Sequence, residues 1–156
     1  SATITGTIIS RYEETISAIP LLVSFIPMLM DTGGNCGSQS STLIIRGIAL
    51  GEIRFSDLFR VMFKEFRVSL IVGVVLALAN GLRILIMYRN AGLAILLGIS
   101  LMCTGFLAEL IGCLLPLFAK KLHMDPAIMA SPLITTLVDT CSILIYFNIA
   151  TRIFQL

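Results

Sequence analysis

The sequence predicts an all-α, polytopic membrane bundle with about five transmembrane helices per subunit. Three observations carry that reading. Of 156 residues, 57% are apolar and only 13% charged, against roughly 25% charged in an average soluble domain. Mean hydropathy is +1.00. Four long apolar runs also alternate with short charged connections, each run long enough to approach the roughly 20 residues that cross a bilayer. Eleven Lys and Arg against nine Asp and Glu give a net charge of +2 without a basic stripe. The electrostatic footprint of a nucleic-acid partner is therefore missing, and nucleic acid is excluded as a partner class.

Residues 1–10 hold uncharged residues only and are too short to span. They read as the remnant of a truncated first helix, with further protein expected before it. They lack the basic start and long apolar core of a signal peptide. Residues 16–45 form the second span, interrupted by Pro20, Pro27, Asp31 and Gly33-Gly34. At about 1.5 Å per residue this stretch exceeds a hydrocarbon core of about 30 Å, so a tilt, bend or protrusion is expected, most easily at the mid-stretch breakers.

Residues 46–67 carry Arg46, Glu52, Arg54, Asp57, Arg60, Lys64, Glu65 and Arg67, with Leu58, Phe59, Met62, Phe63 and Phe66 at helical spacing. This predicts an amphipathic segment on the membrane surface. Residues 68–88 form the third span, with Arg83 near its end. The fourth, residues 93–119, contains Glu109 and is expected to close at Pro116. The fifth, residues 127–150, contains one acid, Asp139. Arg46, Arg54, Arg60, Lys64, Arg67, Lys120 and Lys121 fall on one side, against Arg11, Arg83, Arg89 and Arg152 on the other. The richer side is expected to be cytoplasmic.

Polar residues inside these spans point to function. Asp31, Asn35 and Gln39 recur every four residues and stack on one helix face. Beside them Gly33, Gly37 and Ser41 form a small-residue ridge suited to close helix packing. Ser131, Thr135, Asp139, Ser142 and Tyr146 form a second stripe. An ionised Asp139 in mid-membrane costs about 2.5–3.5 kcal/mol on insertion scales. Its span has no Lys or Arg, so a bound cation is a better partner than an ion pair, with a protonated, hydrogen-bonded Asp as the alternative. Glu109 has fewer polar companions, and packing or function fits it equally.

Other motifs fail on context. Asp31-Thr32-Gly33 spells the aspartic-protease triplet but lies in an apolar helical run. Asp31, Asn35 and Gly37 mimic part of a calcium loop, yet Gly33 stands at the third position, where Asp or Asn is wanted, and Thr42 at the twelfth, where Glu is wanted. The four cysteines, Cys36, Cys103, Cys113 and Cys141, lack zinc or redox spacing and read as packing residues. His123 stands alone in a polar loop.

The run from Pro27 to Arg46, PMLMDTGGNCGSQSSTLIIR, resembles the signature of the MgtE family of magnesium channels. So do LHMDPA at Leu122–Ala127 and SPLITTLVD at Ser131–Asp139. The resemblance implies a homodimer of five spans per subunit in a bacterial inner membrane. Its pore would lie on the two-fold axis between second and fifth spans, preceded by cytoplasmic magnesium-sensing domains. It further implies that Asp139 is the pore carboxylate holding hydrated Mg2+ and Asn35 the pore asparagine beside it. Thr135 would contribute a backbone oxygen, and Asp125 would be engaged by the sensing domains at a cytoplasmic gate. Asp31 replaces a glycine whose main-chain oxygen faces the ion, and Glu109 has no implied role.

Magnesium surrenders its water reluctantly, so one or two carboxylates with carbonyls suffice to hold the hydrated ion. Mn2+, Co2+ and Ca2+ also accept oxygen ligands at such a site. Two rival readings stay open at this point. One is a proton- or sodium-coupled transporter using Asp139 and Glu109. The other is a structural membrane subunit whose polar residues join helices.

Overall fold

A computed structural model describes residues 2–129 and 131–155, with every element among them helical. The order is α1 (Ala2–Arg11), α2 (Glu13–Ala18), a 3-10 segment (Pro20–Phe25), α3 (Ile26–Ala49), a short 3-10 turn (Phe55–Asp57), α4 (Leu58–Tyr88), α5 (Ala91–Lys121), a 3-10 turn (Pro126–Met129) and α6 (Ser131–Phe154).

The long stretch after α1 breaks at its start and not in the middle. Ile19 is extended at φ −137°, ψ 81°, as the residue before Pro20 must be. The chain then tightens into the 3-10 segment, and α3 opens with Pro27 in its first turn, where a missing N–H does no harm. From there α3 runs unbroken through Asp31 and Gly33-Gly34. The irregular segment is anchored by α6: the Tyr146 hydroxyl donates to the Leu22 carbonyl at 3.0 Å. Both residues are fully buried, so this bond satisfies a carbonyl that water cannot reach. Tyr12 stacks on Phe147 at 4.8 Å and accepts a hydrogen bond from Asn148 Nδ2 at 3.0 Å, tying the chain start to the same helix.

Helix α5 is the central element, packed against α3, α4 and α6. It passes through Pro116 and ends only at Lys121, so Pro116 does not close it. Proline is tolerated inside membrane helices where neighbours accommodate the freed carbonyl. Nor does the charged segment before the third span form a separate surface helix. Leu58–Arg67 is continuous with residues 68–88, giving α4 a length of 31 residues, or about 46 Å at about 1.5 Å per residue. The turn into α5 is made by Arg89 in the left-handed region at φ 49°. Asn90 follows, its side-chain oxygen accepting from Leu93 N at 3.1 Å as an N-cap.

Helices α3 and α5 cross at glycine. A Cβ added to Gly112 would collide with the Gly37 carbonyl. One added to Gly37 would lie 2.8 Å from Ile134 Cγ2 and 3.1 Å from the Ala108 carbonyl. A Cβ on Gly33 would stand 2.7 Å from both Thr104 Cγ2 and Val138 Cγ1. Interior glycines lower helix propensity by about 1 kcal/mol each, and close packing of α3 onto α5 and α6 offsets it.

The core is apolar. Leu22, Leu29, Leu96, Leu97, Leu101 and Phe147 fill one end, while Ile44, Val61, Cys113 and Leu117 fill the other. Lys121 Nζ lies 4.4 Å from the centroid of the Phe55 ring, a cation–π contact that joins the end of α5 to the α3–α4 connection. The basic residues of that connection and of the α5 terminus therefore share one end of the bundle.

Three helical stretches among the described residues are long and apolar enough to cross a membrane: Phe55–Tyr88, Ala91–Lys121 and Pro132–Phe154. Helix α3 is outside that group because its polar stripe lowers its hydropathy.

Candidate functional site: a polar groove between α3 and α6

On the α3 face turned away from α5, Asp31, Asn35 and Gln39 are all exposed. Beside them α6 presents Thr135 and Asp139, both half-buried. The two helices enclose a groove of about 220 Å3 lined by Met30, Asp31, Gly34, Asn35, Thr135 and Asp139. It continues along α3 into a second hollow of about 470 Å3 lined by Asn35, Ser38, Gln39, Thr42 and Leu43. Helical spacing of four residues keeps the α3 members in register over successive turns.

Gly34 is the groove floor, a role that sequence reasoning missed while treating Gly33-Gly34 as a helix breaker. A Cβ there would lie 3.3 Å from Thr135 Cγ2 and 3.9 Å from Asp139 Oδ1. With hydrogen alone at that position, the α3 backbone approaches Thr135 and Asp139 without a side chain of its own there. Its place between Asp31 and Asn35 marks the α3 face to which it belongs, but not the helix which that face meets.

The second polar stripe divides by height along α6. Thr135 and Asp139 reach the groove, whereas Ser142 and Tyr146, on the same face two turns later, are fully buried. There the helix is covered by α3, α5 and the 3-10 segment. Ser142 bonds to the Val138 carbonyl at 2.6 Å. Thr135 Oγ1 donates to the Pro132 carbonyl at 3.2 Å, which leaves the Asp31 and Asp139 carboxylates and the Asn35 amide as the groove's available acceptors. The side chain of Ser131 lies outside the described residues. Gly33, Gly37 and Ser41 are buried behind the groove.

Asp125 is elsewhere. It is exposed in the α5–α6 connection, where its Oδ1 accepts from Ala127 N at 2.9 Å and shapes the turn before α6.

Glu109 also lies apart from Asp139. At 8% exposure it faces Glu65, 7% exposed, across the α4–α5 contact, with the two carboxyl groups in hydrogen-bond reach. Ser40 Oγ donates to Glu65 Oε2 at 3.2 Å, so three helices meet at this polar point. Sequence reasoning assigned Glu65 to a solvated surface. The signal against that was the i, i+4 series Val61, Glu65, Ser69 and Gly73, which is the buried face of α4. Phe59 and Phe63, 82% and 64% exposed, point outward instead, as suits a helix whose surroundings are lipid.

Among the described residues no group of three or more His, Cys, Asp or Glu is placed to hold a metal ion. One chain thus presents an acceptor-rich wall, with two carboxylates and an amide, and not a closed cage. Such a wall can accept hydrogen bonds from the water shell of a cation.

An apolar bundle with an acid-lined lateral groove defines a polytopic integral membrane protein with a polar path along its side. The profile of the MgtE family, described as a divalent cation transporter, matches residues 26–149. The chain belongs to the MgtE family. It is similar to the magnesium transporter MgtE of Bacillus subtilis, 38% identical over 95% of this chain and 33% of the relative. The magnesium transporter MgtE of Thermus thermophilus is 35% identical over 97% of this chain and 34% of its own length. That of Enterococcus faecalis is 35% identical over 94% and 32%. These relatives are named for transport and not for catalysis, and the chain spans about a third of their length.

Proposed function

We propose that this chain forms the pore of a magnesium channel, conducting hydrated Mg2+ passively across the membrane into the cytoplasm. The observation that carries the reading is the exposure of Asp31, Asn35 and Gln39 beside Asp139 on the flank of an apolar bundle. In lipid such a flank is strongly unfavourable. A second copy related by a two-fold axis would cover it, turning each half-groove into a wet path walled by both subunits. The homodimer, the count of five spans and the cytoplasmic placement of the basic end belong to this same reading.

In that pore the paired Asp139 carboxylates and Asn35 amides accept hydrogen bonds from the ion's water shell. Magnesium keeps its octahedron of water where a tighter cage would strip it. Few fixed charges also let the ion leave, as conduction requires. Asp31 adds charge at the groove edge and Thr135 offers a backbone oxygen. Asp125 is the gate residue that sensing domains of a longer chain would engage. Mn2+, Co2+ and Ca2+ would compete according to how well their hydration fits.

The test is Mg2+ influx into proteoliposomes with neither a proton nor a sodium gradient, comparing the chain with Asp139→Asn at equal reconstitution. Influx that falls in the variant supports the reading. Influx only under an imposed gradient replaces it with coupled transport, and no influx under either condition replaces it with a structural role.

A further inference from the structure

We propose that Arg60, Lys64 and Arg67 form a binding site for an anionic phospholipid on the outer face of α4. The inference rests on the membrane placement of the chain and not on conduction.

The three side chains are exposed and lie at intervals of four and three residues, on one helix face. Together with Phe63, Val68 and Ile71 they line a groove of about 340 Å3. Among the described residues none of the three cations is held in an ion pair. Of the nearby acids, Glu65 is buried against Ser40 and Glu109, Asp57 Oδ2 accepts from Arg54 N at 3.0 Å, and Glu52 lines a separate hollow and not this groove. Lys64 also borders a neighbouring hollow with Arg46 and Glu52, which places it at the rim of the groove.

Length fixes the depth of the site. At about 46 Å, α4 overreaches a hydrocarbon core of about 30 Å. No charged residue occurs in residues 68–82, so that stretch belongs in the hydrocarbon and the Arg60–Arg67 turns belong among the headgroups. The ligand chemistry follows from the gradient along the groove. Its upper part offers three cations to a phosphate. Its lower part offers Phe63, Val68 and Ile71, respectively 64%, 40% and 66% exposed, to an acyl chain. A free anion would use only the upper part, whereas a phospholipid uses both.

The chain in zwitterionic micelles, titrated with fluorescent phosphatidylglycerol or phosphatidylcholine, tests this. The variant is R60Q/K64Q/R67Q, with R83Q/R89Q as a control that removes two positive charges at the opposite end of α4. Each basic residue is expected to strengthen binding about five-fold, so the triple variant should bind phosphatidylglycerol roughly 100-fold more weakly. Phosphatidylcholine binding should be weak throughout, and R83Q/R89Q should match the parent. Single R60Q and R67Q variants give the same reading in smaller steps should the triple variant fail to purify.

Equal loss in R83Q/R89Q would overturn the site in favour of bulk charge. Equal affinity for both lipids would overturn it as well. Displacement by glycerol phosphate at the lipid's own affinity would reassign it to a free phosphate. An unaffected triple variant would leave this face to the protein segments that make the relatives longer.

Discussion

Tyr146 donates its hydroxyl to the carbonyl of Leu22 at 3.0 Å, across 124 residues of sequence. That bond holds the irregular 3-10 backbone of Pro20–Phe25 against α6. Tyr146→Phe keeps the ring and orphans the carbonyl, an expected loss of about 1 kcal/mol. Thermal unfolding in micelles should show Tm falling by a few degrees, and an unchanged Tm would mean that the carbonyl finds another donor.

Asp139→Asn preserves shape while removing charge from the groove. Flux through the proposed pore should fall at least tenfold, corresponding to about 1.4 kcal/mol of lost ion interaction, while Tm stays level because Asp139 has no hydrogen-bond partner on another helix among the described residues. Parallel flux and melting measurements separate these effects, since a merely structural Asp139 would lower both.

Glycine substitutions should split sharply. Gly112→Ala drives a methyl into the Gly37 backbone, which cannot swing aside, and overpacking of this kind costs about 1–3 kcal/mol. Gly105 has open space around its would-be Cβ, so Gly105→Ala should be neutral or stabilising by up to about 1 kcal/mol through helix propensity. Denaturation of the two variants side by side checks the crossing geometry.

Glu109→Gln tests the separation of the buried acid pair from the groove. The amide can still hydrogen-bond to Glu65, so stability should change by less than about 1 kcal/mol. Mg2+ influx should remain close to that of the parent. A collapse of influx with stability intact would tie Glu109 to transport and favour the coupled reading.

Composition made the helical membrane class legible, because an apolar chain with alternating charged loops has few other solutions. The polar stripes on α3 and α6 were legible as periodicities. Their meeting at Gly34 was not, since a period names a face but not the neighbour it confronts. Pro116 and Gly33-Gly34 misled for a related reason: breaker residues are judged by backbone preference, and in a packed bundle their neighbours decide whether the helix continues. Glu65 was misplaced because its charged neighbours, Lys64 and Arg67, do face outward. One turn of helix separates lipid from core, and composition averages over that turn.

The weak hydropathy of α3 has a consequence for biogenesis. During synthesis this helix emerges ahead of α4, α5 and α6, the three that partition into lipid by composition alone. Its polar face makes an early, solitary release from the insertion machinery unfavourable, and its glycine face has nothing yet to pack on. Retention of α3 until α5 and α6 arrive would let the two faces be covered in the order in which their partners appear.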